Sequence, residues 1–204
     1  MYIPKHYQGK NTERAVAFMQ RFNFATIVSS NADVPTATHL PFVIREVNGD
    51  IQISSHFAKA NPHWEHIGKE QDLIIFTEPH AYISTEHYEK DQNVPTWNYL
   101  AVHAYGTAKI IDGRAEVFKL LESMMESFEP AYKKQWQKLP DEYREGMANG
   151  IVAFEMKVTE LQFKEKLSQN KKDGERASII RYLGESPAET ERILAEYMKR
   201  HDHQ

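Results

Sequence analysis

The segment 98–111, "NYLAVHAYGTAKII", carries an apolar or small residue at every second position from Leu100 to Ile110. Leu100, Val102, Ala104, Gly106, Ala108 and Ile110 share one face, because successive side chains of a strand point to opposite sides of the sheet. A strand this long with one apolar face needs a sheet around it, which rules out an all-helical fold. The apolar face tapers to small residues at Ala104, Gly106 and Ala108, where another backbone must come close.

Other segments repeat the pattern. "FATIVSS" (24–30) and "IVAFEMKV" (151–158) alternate, the second with a change of parity that predicts a bulge or bend near Thr159 and Glu160. "TATHLPFVIR" (36–45) alternates around Pro41, which has no N–H to give a ladder and so predicts an edge or a bulge. "NGD" (48–50) is a hairpin turn by type, and "IQISS" returns from it. "LIIF" and "AYIS" read as strand, interrupted at Glu78 and Pro79. Helical spacing appears at Thr12 to Phe22, 62–68, 114–128, a charged stretch ending at Gly150, and about 186–200. At least six strands with inserted helices predict a mainly β chain. A closed antiparallel barrel suits them better than a parallel α/β sheet, whose helix–strand alternation is missing. The expectation is one domain, 1–204, with a C-terminal helix at about 186–200.

The absence of cysteine excludes disulfides, thiolate metal sites and a thiol nucleophile. The N-terminus lacks the basic, apolar and small-residue order of a signal peptide, and no apolar run nears the roughly 20 residues of a membrane helix, so a cytoplasmic location is expected. A formal net charge of −4 argues against a generic nucleic-acid coat protein.

One stretch combines chemistry that a plain strand end does not need. "ISSHFAKANPHW" (53–64) sets Ser54 and Ser55 before Lys59 and Asn61, just where strand gives way to helix. Two hydroxyls and an ammonium make a candidate phosphate site. In "PTWNYLAVHAYG" (95–106), Trp97 and Tyr99 can stack on a planar ligand and Asn98 can read a ring edge. The histidines show no metal-binding spacing such as HExxH, so no metal is expected. P-loop, nucleophile-elbow and GxGxxG motifs are absent too, and no acid–base pair stands out, so no catalytic residue is assigned. The most basic run is "KEKLSQNKKDGER" (164–176), a solvated loop by pattern, whose Lys171, Lys172 and Arg176 are the candidate contacts to DNA phosphate.

Taken in order, "MYIPKHY", "HLPF", "HFAKANPHW", "AYIS", "VPTWNYLAVHAYG", "GIVAFEMKVT" and "KLSQN" resemble the PaiB family of FMN-binding negative transcriptional regulators. The resemblance implies a split β-barrel like that of pyridoxamine-phosphate oxidase, a homodimer, and FMN between its subunits. It further implies that Ser55 and Lys59, with Asn61 close by, hold the FMN phosphate. His39 and the Trp97–Asn98 pair are implied for the flavin ring, and Ser168, Gln169 and Asn170 for an approach to the cofactor. The function implied is repression of sporulation and degradative-protease genes, by direct or indirect action on promoter DNA. An FMN-dependent oxidoreductase or flavin sensor acting indirectly is the alternative.

Overall fold

The computed structural model describes residues 1–31 and 34–201. Seven strands are hydrogen-bonded in the order β2-β1-β5-β6-β7-β4-β3. They are β1 (Phe24–Asn31), β2 (Val34–Pro41), β3 (Val43–Val47), β4 (Asp50–Ala58), β5 (Asp72–Ile83), β6 (Thr96–Ile110) and β7 (Ile151–Lys166). The helices are α1 (Thr12–Arg21), α2 (Arg114–Phe128), α3 (Tyr132–Trp136), α4 (Asp141–Asn149), α5 (Asp173–Gly184) and α6 (Glu189–His201). Two compact units result, a main unit of Glu13–Phe76 with His103–Leu161, and a second of Met1–Thr12, Thr77–Val102 and Gln162–Gln204.

In the main unit the strand period decides what is inside. Ile51, Ile53, Ser55 and Phe57 of β4 all point inward. Phe57 stacks on Phe154 at 5.0 Å, and Phe42 meets Phe76 and Phe154 edge-on at 5.8 and 6.3 Å. Helix α1 adds Ala15, Val16, Phe18 and Met19. Helix α2 lays Leu120 and Met124 against Val43 and Ala153 as a second, smaller core. The hairpin turn is formed by Asn48 and Gly49 at φ 53° and 84°, the left-handed pair that such a turn requires.

Asp72 ties this unit together. Its carboxylate is 1% exposed and accepts from Ser29 Oγ (2.6 Å), Gly68 N–H (3.0 Å) and Ala108 N–H (2.9 Å). Gly68 sits at φ 72° with Ala108 O 2.1 Å from where a β-carbon would be, so no side chain fits there.

The structure corrects three expectations and bears out a fourth. The run 36–45 is two strands, because Pro41 cannot continue the ladder and Phe42 N–H turns to Asn23 O. Conversely β5 passes through Pro79: its inward positions change from even to odd across Thr77 and Glu78, and the extra residue accommodates the missing N–H. The tapering face of β6 does meet the close backbone that its small residues predict, with Gly106 against Lys157 O and Met156. Finally, 173–184 is helix rather than loop. Glu175 and Arg176 lie on its buried face beside Ile179 and Leu183, which masks the apolar period.

Candidate functional site

In the main unit, β4 ends in a loop whose backbone is fixed on every side. Lys59 N–H donates to Gly150 O (2.8 Å), Lys59 O accepts from Trp64 Nε1 (3.0 Å), and Asn61 N–H donates to Ala58 O (2.8 Å). The side chain of Asn61 accepts from His63 N–H (3.0 Å) and donates to Thr38 Oγ1 (3.3 Å). Thr38 Oγ1 also lies 2.7 Å from His63 Nδ1. Strand β2 and the turn Pro62–Glu65 are thus locked together beside Lys59. Lys59 itself is exposed, and its ammonium has no ion-pair partner among the described residues.

His63 is fully buried and its Nε2 finds no hydrogen-bond partner among the described residues. Burial lowers its pKa, with the Asp72 charge opposing and His66 adding to the fall. Burial likewise lowers His56 and His103 of the same unit. A depressed histidine stays neutral in the fold while the unfolded chain takes up a proton below its ordinary value of 6.5. Stability is therefore full above that pH and falls as the pH drops from it toward the folded pKa values. Urea denaturation at about pH 7.5 and pH 5.5 is expected to show a loss of up to about 1 kcal/mol per histidine. Equal midpoints would refute the assignment of neutral buried imidazoles.

Ser55 is not part of this open group. It faces the core at 0% exposure and gives its hydroxyl to Pro41 O, at the last residue of β2, at 2.6 Å. This corrects the expectation that it meets phosphate. His39 is exposed on β2 and stacks on the exposed Phe24 with ring centroids 6.4 Å apart.

The second unit holds the remaining candidates. Trp97 is 52% exposed, with His80 and Tyr82 each 5.8 Å from it between centroids. These three rings make an open aromatic surface. Asn98 follows Trp97 on a strand and so points the other way. It is 0% exposed, with Nδ2 2.8 Å and Oδ1 3.1 Å from Ser168 Oγ. Ser168 takes a left-handed φ of 59°, and Gln169 closes the same turn by accepting from Leu167 N–H at 2.8 Å. Asn170 accepts from Tyr7 Oη at 3.2 Å. Asn98, Ser168 and Gln169 thus build the turn, and only Trp97 of the expected pair is accessible to a ring.

The expected basic loop also dissolves. Arg176 is 6% exposed and donates to the carbonyls of Leu167 and Met198. Lys172 is paired with Glu89 at 2.6 Å. Lys171 sits 3.9 Å over the Tyr88 ring and donates to Asn93 Oδ1 at 2.7 Å. Arg176 is withdrawn as a DNA contact, since a buried guanidinium cannot reach a phosphate backbone. Sequence reading missed His80, Tyr82, Thr38 and His63 as members of these groups. The outward parity of His80 and Tyr82 in "PHAYIS" was the available signal. No group of described residues is arranged to hold a metal.

The residues present fit FMN. In the main unit a free ammonium beside an amide and a hydroxyl suits a phosphate, and an orphaned buried imidazole nitrogen lies in that network; in the second unit, taken by itself, a half-exposed indole suits the face of a planar ring. The fold, mainly antiparallel β with inserted helices, is that of the flavin-binding split-barrel proteins. It is shared by a flavocytochrome of Azotobacter vinelandii (TM-score 0.64, 15% identity, 86% of this chain and 78% of that one). An FAD- and heme-binding protein of Mycobacterium smegmatis shares it as well (TM-score 0.62, 14% identity, 84% and 79%).

Within that class the chain belongs to the PaiB family. The family model described as "Putative FMN-binding domain" matches residues 1–160, and FMN is its cofactor. The chain is 37% identical over 202 residues to "Protease synthase and sporulation protein PAI 2" of Bacillus subtilis, covering 98% of this chain and 97% of that protein. No helix among the described residues is long and apolar enough to cross a membrane.

Proposed function

We propose that the chain is an FMN-binding homodimer that lowers the expression of sporulation and degradative-protease genes. The observation that carries this reading is the end-to-end match to the sporulation and protease protein, at 37% identity over 98% of the chain. Lys59 and Asn61 of the main unit would hold the phosphate and His39 of the same unit would face the ring; Trp97 of the second unit, considered by itself, offers a stacking surface. FMN, when bound, supplies reversible redox chemistry that a regulator can sense. Deleting the gene in its host is expected to raise secreted protease and alter sporulation, and the intact copy to reverse both. No change in either readout would sink the proposal, as would light scattering that gives a monomer mass at micromolar concentration.

A second reading is favoured by the state of the basic segment, where Arg176 is buried and Lys172 already paired. Here the protein acts on transcription indirectly, as a flavin or small-ligand sensor or a flavin-dependent oxidoreductase. Promoter fragments at low salt separate the two. A shift that is lost on changing Lys171 and Lys172 to Glu supports direct binding, since each neutralised phosphate adds a salt-dependent increment. No shift with or without FMN supports indirect action.

A further inference from the structure

Beside α2, on the outer face of the sheet in the main unit, lies a groove of about 460 Å³. That volume falls in the range of small-molecule sites. Apart from Ser54, which faces away from the inward Ser55 on β4, none of its lining residues belongs to the candidate phosphate or flavin groups. Six charged side chains line it: Arg45, Lys109, Asp112, Glu116, Lys119 and Glu155. Three are cations and three are anions, over an apolar floor that includes Ile111 and Leu120.

The register brings opposite charges close. Ser54 pairs with Glu155 across β4 and β7, and Arg45 with Gln52 across β3 and β4. Ile111 N–H donates to Ala153 O at 2.9 Å, and continuing this antiparallel register sets Lys109 across from Glu155. Opposite charges so placed normally pair. Outside the groove this unit does pair its charges, as Lys157 with Asp50 at 2.6 Å. Within it, only Arg45 takes part in an ion pair, with Glu126 at the limiting distance of 4.0 Å. Lys109, Asp112, Glu116, Lys119 and Glu155 have no ion-pair partner among the described residues. Ser123 adds a second mark. It is 6% exposed on α2 and lines the groove, and its hydroxyl, which has no hydrogen bond to any described residue, is open to solvent on the groove side and so to a ligand.

A groove with unpaired charges of both signs, a hydroxyl left open to a ligand and a short apolar floor matches a ligand that carries both charges on an aliphatic body. We propose that this groove binds a small zwitterion of the free α-amino acid or dipeptide class. The carboxylate end meets the cations Lys109 and Lys119, and the ammonium end meets Glu155 with Asp112 or Glu116. Hydroxyls of Ser54 and Ser123 are available to either end.

The test uses the full chain saturated with FMN and isothermal calorimetry. The probes are L-leucine, the dipeptide Leu-Leu, and two analogues of leucine that keep the aliphatic body and one charge each, 4-methylpentanoate and isoamylamine. L-leucine or Leu-Leu is expected to bind saturably, and the single-charge analogues about tenfold more weakly or worse, since each lacks one charge-assisted contact. Glu155→Gln and Lys119→Gln stand at exposed positions and are expected to lower zwitterion affinity several-fold at unchanged melting temperature. Absence of saturable binding for both zwitterions overturns the proposal. So do analogues that bind as well as L-leucine, or folded variants with undiminished affinity. FMN titration of the same samples reports separately on the flavin reading.

Discussion

Lys59→Ala is expected to weaken FMN binding by about 10- to 100-fold and riboflavin binding far less. The ammonium is exposed, has no ion-pair partner among the described residues, and projects from a loop whose backbone is fixed by Gly150, Trp64 and Ala58. A charge-assisted contact to phosphate from so ordered a base contributes about 1.5–3 kcal/mol, which sets that range. Riboflavin has the same ring and no phosphate, so it reports any damage to the loop. Lys59→Arg keeps the charge and should recover part of the affinity. Fluorescence titration of both ligands decides the matter, and equal losses for the two would mean that Lys59 does not hold the phosphate.

Asp72→Ala should cost about 3–6 kcal/mol of stability. It leaves Ser29 Oγ, Gly68 N–H and Ala108 N–H without their acceptor at a site 1% exposed. Each orphaned buried donor costs about 1–3 kcal/mol. Against a total stability of about 5–15 kcal/mol, the melting temperature should fall by about 10 °C or more, with part of the protein unfolded at 37 °C. Asp72→Asn keeps one acceptor oxygen and should lie between. A loss below about 1 kcal/mol in urea titration would show that water replaces the carboxylate.

Much of the fold was legible from two periods. The two-residue alternation of 98–111 became β6, and the stripe Val117, Leu120, Leu121, Met124 became α2 with the ends the sequence predicted. Local rules also placed the Asn48–Gly49 turn and the exposed pair Thr159 and Glu160 where β7 changes parity. Helix α5 escaped because burial of Glu175 and Arg176 depends on partners far along the chain. Glu175 accepts from the Glu89 backbone at 3.1 Å, and Arg176 reaches Met198 O at 3.5 Å.

The candidate site divides along the same line. That Ser55 and Lys59 close a strand and that Trp97 opens one is written locally, in residue type and spacing. The β4 alternation even puts Ser55 with Ile53 and Phe57, on the inward side. Whether an inward hydroxyl meets a ligand or a carbonyl depends on what stands opposite, and only the tertiary structure supplied Pro41 O at 2.6 Å. Trp97 and Asn98 had to face opposite ways on any strand, but which face was open was decided by Ser168, packed against Asn98 from 70 positions away. The basic run 164–176 was cationic by composition, and partners elsewhere then paired Lys172 with Glu89, set Lys171 over Tyr88 and buried Arg176 against Leu167 O. Sequence determined which side chains alternate, cap and turn, because those preferences act within a few residues. Partners set which polar groups remained free, because a buried donor or charge takes whichever acceptor the fold brings within reach.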